Sequence, residues 1–371
     1  MELKKKIKQE LKYNLHKYVL PIVYNHYRTK PIEHGKVIFA DSNTDTLPES
    51  MRLVYEKLSE RKDIKIKLCL CDIRKAGIRG KLSYIIGFMR EYATAEYVFV
   101  CNYFLPVTSC RKRKGTKVIQ LWHSTGLLKK FAYDTADDIS PYYRGDVNRN
   151  ISMITVSSKA VKSVFESAYR LEGSKKKMVR ATGVSRTDAF FDKDYLEQCR
   201  EQLYAHYPEF NGKKIALYAP TFRGTAADAR LVGEEQILAL QNKLGDDWAV
   251  IMKPHPHIKG AKSNCDIMTS ELFAAADVLI SDYSSLIFEY ALLKKPFVLF
   301  MPDYDEFVSK RGFYVSPETF PCEIVKDGNS LADAVKRAFG RQPDEAYEQF
   351  LKYHVGACDG HSTERILRLI K

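Results

Sequence analysis

No stretch of this 371-residue sequence approaches the roughly 18 uninterrupted apolar residues that a membrane-spanning helix requires, so a helical transmembrane domain is excluded. The N-terminus is too evenly charged to hold a signal-peptide core, and a cytoplasmic protein is expected. Cys69, Cys71, Cys101, Cys110, Cys199, Cys265, Cys322 and Cys358 form no CxxC pair and no Cys/His ladder at zinc spacing. They read as reduced thiols used mainly as small core hydrophobes, with no disulfide framework and no metal. Internal repeats, a helix-turn-helix and an RNP-like motif are also missing, which leaves a nucleic-acid partner supported by charge alone. Acidic residues are in deficit, 46 Asp+Glu against 59 Lys+Arg, for a formal net charge of +13. Such an excess calls for an anionic partner without naming it.

What is present is a globular composition, 45% hydrophobic and 28% charged, at a length that suggests two domains. Part of the basic excess is concentrated at the start, where Lys4, Lys5, Lys6, Lys8, Lys12, Lys17, Arg28 and Lys30 face only Glu2 and Glu10. Leu3, Ile7, Leu11, Leu15, Tyr18 and Ile22 recur there at helical spacing. Two readings are open: an amphipathic helix lying on an anionic membrane, or a helix docked on the protein's own core. Pro21 is expected to kink or end it.

Beyond Pro31, short apolar runs alternate with amphipathic stretches, the pattern of strands and crossover helices in a parallel sheet. Strands are expected at 37–40, 65–71, 97–101, 117–122 and 151–157, with helices at 47–61, 81–92 and 159–169. The series restarts with strands at 214–219, 248–253, 278–281 and 297–300 and helices at 233–244 and 285–293. The fold class is therefore α/β, with two Rossmann-like doubly wound domains and a cleft between them. The expected partition is 1–30 as the basic amphipathic helix, 31–185 as the N-terminal domain and 186–371 as the C-terminal domain. The last helix is a candidate to pack back on the N-terminal domain.

Ligands of open parallel sheets bind beyond the carboxyl ends of the strands, so polar motifs there count most. Ser281-Asp282-Tyr283-Ser284-Ser285 leaves a strand and enters a helix, a place where hydroxyls and free amides cradle phosphate or simply cap the helix. Glu289, four residues on, is a candidate acceptor for ribose hydroxyls or a solvated side chain. In Lys253-Pro254-His255-Pro256-His257 two prolines hold His255 on a rigid loop beside a lysine; His257 is the weaker candidate. Gln120-Leu121-Trp122-His123-Ser124-Thr125-Gly126 places a titratable base before two hydroxyls and a glycine. Thr221 and Arg223, in Tyr218-Ala219-Pro220-Thr221-Phe222-Arg223, could clasp a phosphate or a base, and Arg311 in Arg311-Gly312-Phe313 offers a bidentate donor.

These motifs, in this order and together with Lys295-Pro296 and Asp359-Gly360, resemble the CDP-glycerol glycerophosphotransferase family of wall teichoic acid synthesis. The resemblance runs from about Val37 to the C-terminus. It implies a GT-B-like fold and peripheral association with the cytoplasmic face of the plasma membrane; no cofactor or metal is expected, since no further ligands stand at matching spacing. It further implies transfer of glycerol phosphate, or another polyol phosphate, from a CDP-polyol to a polyprenyl-diphosphate-linked saccharide, with CMP released. On that pattern His123 is the general base, with Ser124, Thr125 and Gly126 on the acceptor side. His255 contacts the donor diphosphate, with Lys253, Ser281, Asp282, Ser284, Ser285, Glu289, Arg311, Thr221 and Arg223 on the donor side. Ser124 departs from the family's usual glycine and narrows the acceptor approach. The length is close to that of enzymes that add a single unit. The rivals are a GT-B glycosyltransferase using a nucleotide sugar, a noncatalytic membrane scaffold and a nucleic-acid-binding protein.

Overall fold

The computed structural model describes residues 2–135, 138–221, 223–224, 230–254 and 263–370. These divide into two compact units, and each is an α/β sandwich around a parallel sheet.

The first unit comprises residues 1–123, 131–188 and 357–371. Its strands are β1 (Lys36–Asp41), β2 (Lys65–Leu70), β3 (Tyr97–Val100), β4 (Lys117–Gln120), β5 (Met153–Thr155) and β6 (Val179–Arg180), in the order β2-β1-β3-β4-β5-β6. The centre of the sheet is covered on both faces, where β1 and β3 are buried at every position. Ile38, Ala40, Val98 and Val100 meet one set of helices, α2 (Leu20–Tyr27) and α4 (Ile78–Tyr92). Val37, Phe39, Tyr97 and Phe99 alternate to the opposite face, under α3 (Glu49–Ser59) and the C-terminal residues Ile366 and Ile370.

The N-terminal segment begins with α1 (Glu2–Asn14) and runs through a π-helical turn, Leu15–Val19, into α2. Pro21 neither kinks the chain out of helix nor ends it. The π turn closes with the Leu20 N–H on the Leu15 carbonyl, which puts Pro21 in the first turn of α2, where its missing N–H costs little. The stripe that docks is His16, Leu20 and Tyr24, all buried, with Leu15 of the expected set packed partly buried against the same core. Leu3, Ile7, Leu11, Tyr18 and Ile22 are all exposed.

The second unit comprises residues 124–130 and 189–356. It holds β7 (Lys214–Tyr218), β8 (Trp248–Met252), β9 (Val278–Ser281), β10 (Phe297–Phe300) and β11 (Glu323–Val325), ordered β11-β10-β9-β7-β8. Helices α7 (Glu234–Leu244) and α11 (Leu331–Ala338) cover the face made by Ala216, Tyr218, Val250, Ile280 and Val298. Between these elements lie α5 (Lys159–Ala168, first unit), α6 (Lys193–His206), α8 (Thr269–Leu272), α9 (Leu286–Ala291) and α10 (Tyr304–Lys310). The chain closes with α12 (Glu345–Val355) and α13 (Ser362–Leu367).

The units thus depart from a simple cut at 185/186. Residues 124–130 join the second unit, because Lys130 donates its N–H to the Gly312 carbonyl (3.2 Å) and Tyr314 to that of Leu128 (2.8 Å). Residues 357–371 join the first, where the Ala357 N–H meets the Ser157 carbonyl at 2.9 Å and Ile366 enters the core. Among the described residues, no helix is long and apolar enough to cross a membrane.

Candidate active site

In each sheet the strand order reverses once, between β1 and β3 in the first unit and between β7 and β9 in the second. Helices leave such a switch point on opposite faces and open a crevice at the strands' carboxyl ends.

In the first unit that end carries Asp41, Cys101, Asn102 and His123. Asp41 is buried and accepts from Asn102 Nδ2 at 2.6 Å and from the Asn43 N–H at 2.7 Å. His123 Nδ1 lies 3.2 Å from the Cys101 carbonyl. A carbonyl can only accept, so Nδ1 carries the proton in the neutral ring and Nε2 keeps its lone pair. His123 is exposed as a residue, yet the surrounding protein desolvates its ring and lowers its pKa from the ordinary histidine value. Arg186 adds to the lowering; the Cys101 carbonyl, Asp138 and Asp41 oppose it. The turn that delivers this ring is strained: Trp122 has φ 61°, a left-handed conformation a tryptophan rarely takes. It is held there by packing, its indole lying 5.7 Å from Tyr103, 5.2 Å from Phe165 and 5.8 Å from Phe131 between ring centres. The Trp122 N–H donates to Gln120 Oε1 at 3.0 Å.

The second unit collects Ser124, Thr125, Gly126, Thr221, Arg223, Lys253, Ser281, Asp282, Ser284, Ser285, Glu289 and Arg311. Arg223 is the hub. Its Nε and Nη2 take both oxygens of Asp303 at 2.6 and 3.0 Å, and Nη1 reaches Asp282 Oδ2 and the Thr221 carbonyl, each at 2.8 Å. The guanidinium lies over the rings of Tyr283 and Phe307, 4.7 and 5.4 Å from their centres. Burial works against its charge, but the two carboxylates outweigh that and raise its pKa. Burial also pushes Asp303 up, and Arg223 more than offsets it, so that the Asp303 carboxyl sits below its usual range.

Several of the expected donor-side residues have partners inside the protein. Arg223 is neutralised and ties the exits of β7, β9 and β10 together. Asp282 spends both oxygens internally, one on Arg223 and one on the Thr221 N–H at 2.8 Å. Ser281, fully buried, gives its hydroxyl proton to the Ala219 carbonyl at 2.7 Å. Glu289 is not solvated: it is 1% exposed and accepts from Thr125 Oγ1 at 3.1 Å. Asp303 was missed, although it stands just past an apolar strand, the position that marked the other motifs.

Ser284 and Ser285 remain half-exposed, with Ser284 Oγ accepting from the Leu286 N–H at 3.3 Å. The following α9 has only six residues. The Thr221 hydroxyl is buried with no hydrogen-bond partner among the described residues. Arg311 engages the Lys130 carbonyl through Nε at 3.3 Å and is half-exposed. Lys253 donates to the Cys265 carbonyl at 2.8 Å. His255, Pro256, His257 and Phe222 lie outside the described residues. Among the described residues, no group of three or more His, Cys, Asp or Glu could hold a metal ion.

The 124–130 loop is shaped by glycine. Gly126 has φ +62°, and a Cβ there would meet the Phe288 ring at 2.3 Å. The next amide, Leu127, donates to His354 Nδ1 at 3.1 Å. Nothing in the sequence around His354 signals that role, since it sits inside a helix rich in aromatic residues.

Comparison with known proteins adds a second kind of observation. The profile of the family described as CDP-glycerol:poly(glycerophosphate) glycerophosphotransferase matches residues 22–371. The teichoic acid ribitol-phosphate primase of Bacillus spizizenii is 33% identical over 364 residues, covering 92% of each chain. The teichoic acid poly(ribitol-phosphate) polymerase of the same organism is 30% identical over 93% of this chain, which spans 57% of that longer protein. Among solved structures, the wall teichoic acid polymerase TagF superposes with a TM-score of 0.71 at 20% identity, covering 99% of this chain and 97% of that one. The UDP-GlcNAc 2-epimerase of Neisseria meningitidis shares the architecture at a TM-score of 0.55 and 12% identity, covering 90% and 98%. These structural likenesses speak for the fold.

Proposed function

Because the chain belongs to the CDP-glycerol:poly(glycerophosphate) glycerophosphotransferase family, we propose that it moves a polyol phosphate from a CDP-polyol to a hydroxyl of a lipid-linked acceptor, in teichoic acid or related polymer synthesis. The acceptor is a saccharide on polyprenyl diphosphate. The step adds a single unit, a reading supported by the 33% identity to a ribitol-phosphate primase.

The observation that carries the mechanism is the pinned tautomer of His123. With Nδ1–H engaged by the Cys101 carbonyl, Nε2 takes the proton of the acceptor hydroxyl as its oxygen attacks the β-phosphorus. The bond from that phosphorus to the bridging oxygen breaks, and CMP leaves with the electron pair. Ser124 and Thr125 line the acceptor side. Arg311, Lys253, Ser284, Ser285 and the unpartnered Thr221 hydroxyl supply donors to the diphosphate, together with His255. Arg223, Asp282 and Ser281 hold this frame without touching substrate. Charge is neutralised by the protein alone, so turnover should persist in excess EDTA.

The membrane is met from the cytoplasmic side through α1. Its exposed Leu3, Ile7 and Leu11 stand among lysines, as does Tyr18 beyond it, and each lysine near an anionic leaflet contributes about 1 kcal/mol.

The test is a transfer assay with CDP-ribitol and CDP-glycerol in parallel and a polyprenyl-diphosphate-linked disaccharide, reading CMP release and product mass. A mass gain of one polyol phosphate is expected. His123→Ala should lower kcat by about 10²- to 10⁴-fold with the KM for CDP-polyol little changed. Retained turnover in that variant would remove His123 as the base, and release of UMP or UDP from a nucleotide sugar would support a glycosyltransferase instead.

A further inference from the structure

We propose that His354 is a positioning residue for this reaction, its Nδ1 lone pair holding the backbone of the 124–130 loop in the geometry that transfer needs. The proposal rests on the reading of His123 and its loop given above; all the contacts that carry it lie within the second unit.

The loop is fixed at both ends by different means. Residues 128–130 are tied by backbone pairing to residues 312–314, with Lys129 and Phe313 forming an antiparallel bridge. Residues 125–127 are tied by side chains. Thr125 Oγ1 reaches Glu289 at 3.1 Å and the Ser285 carbonyl at 3.3 Å, and the Leu127 N–H reaches His354 Nδ1 at 3.1 Å. Leu127 and His354 are both buried, so water cannot replace that acceptor.

The imidazole is itself immobilised. It stacks on Phe288 at 4.5 Å between ring centres and 28° between planes, and contacts Phe350 at 4.7 Å and Phe320 edge-on at 5.3 Å. Phe288 is also the wall that admits only glycine at 126, so one ring locates both the loop's tightest point and its acceptor. A purely packing role among these aromatic rings would be met by another hydrocarbon ring. A buried imidazole is retained at a desolvation cost that its hydrogen bonds must offset. Because the loop begins one residue after His123, a displaced Leu127 shifts Ser124 and Thr125 relative to their contacts, and misplacement of about 1 Å costs about 10²-fold in rate.

The experiment compares His354→Leu, which removes the lone pair, with His354→Asn, whose Oδ1 can replace Nδ1 as acceptor. In the full chain, hydrogen exchange across 124–130 and the kinetic constants for CDP-polyol and acceptor are measured together. His354→Leu should lose protection in the loop and lower kcat by about 10- to 100-fold, with the KM for CDP-polyol within about twofold. His354→Asn should restore most of both. Normal kcat in His354→Leu overturns the proposal, as does equal loss in both variants, which would make the role one of volume. In the unaltered protein, a Leu127 amide that exchanges as fast as exposed loops overturns it without recourse to a variant. Should the unaltered protein release no CMP from any CDP-polyol, the functional reading fails while the exchange result still decides the loop.

Discussion

His123 shows how one acceptor selects a chemical role. The Cys101 carbonyl chooses the tautomer, and desolvation favours the neutral ring. A base must be unprotonated to work, and its pKa lies below the ordinary value of about 6.5. The acid limb of kcat/KM is therefore expected below pH 6.5; a limb above 6.5 would contradict the desolvated ring. Arg223 illustrates the opposite use of a charged group. Removing it strands two largely buried carboxylates, so Arg223→Met should destabilise the protein by about 3–5 kcal/mol in urea unfolding. Arg223→Lys should recover only part, since an ammonium cannot make the paired contact with Asp303. From the sequence, both residues were visible as polar groups at strand ends. Their division into reacting group and internal tie was not, because it depends on Asp303, 80 positions away from Arg223.

At the scale of elements, strands were legible and helix faces less so. β7 to β10 fall where apolar runs stop at polar turns, since a buried parallel strand must be apolar throughout and its loop must not be. The short β6 and β11 carried too few residues to register as runs. The N-terminal helix misled in an instructive way. Its strongest apolar periodicity, Leu3-Ile7-Leu11, faces solvent, and the docking stripe passes through His16. The π turn shifts the register by one residue, so one 3.6-residue periodicity cannot describe both sides of it. The exposed stripe predicts that Leu3→Ser, Ile7→Ser and Leu11→Ser together abolish sedimentation with anionic liposomes while leaving turnover on a short-chain, soluble acceptor unchanged. Undiminished liposome binding would remove α1 as the anchor.

For the whole molecule, each unit buries a neutral histidine: His16 in the first, its pKa lowered to about 4 chiefly by burial, and His354 in the second, lowered to about 3 by the same cause. In the unfolded chain both return to about 6.5, so between pH 6.5 and 4 the unfolded state binds more protons than the folded one. Stability is full above pH 6.5 and falls as acid is added, by about 2 kcal/mol per histidine at pH 5. The urea midpoint should drop between pH 7 and 5, and His354→Asn should flatten that slope; a midpoint independent of pH would contradict neutral burial. The alternation of short apolar runs with amphipathic stretches determined by itself that this chain makes two parallel α/β sheets, and ordered motifs at strand ends determined its family. Both are local, because a strand's burial and a turn's chemistry are written in consecutive residues. Only tertiary structure decided that 124–130 and 357–371 leave their sequence neighbours, that Arg223 is an internal tie and that His354 grips Leu127. Those outcomes join groups 59 to 227 positions apart, and no spacing rule within one strand or helix reaches so far.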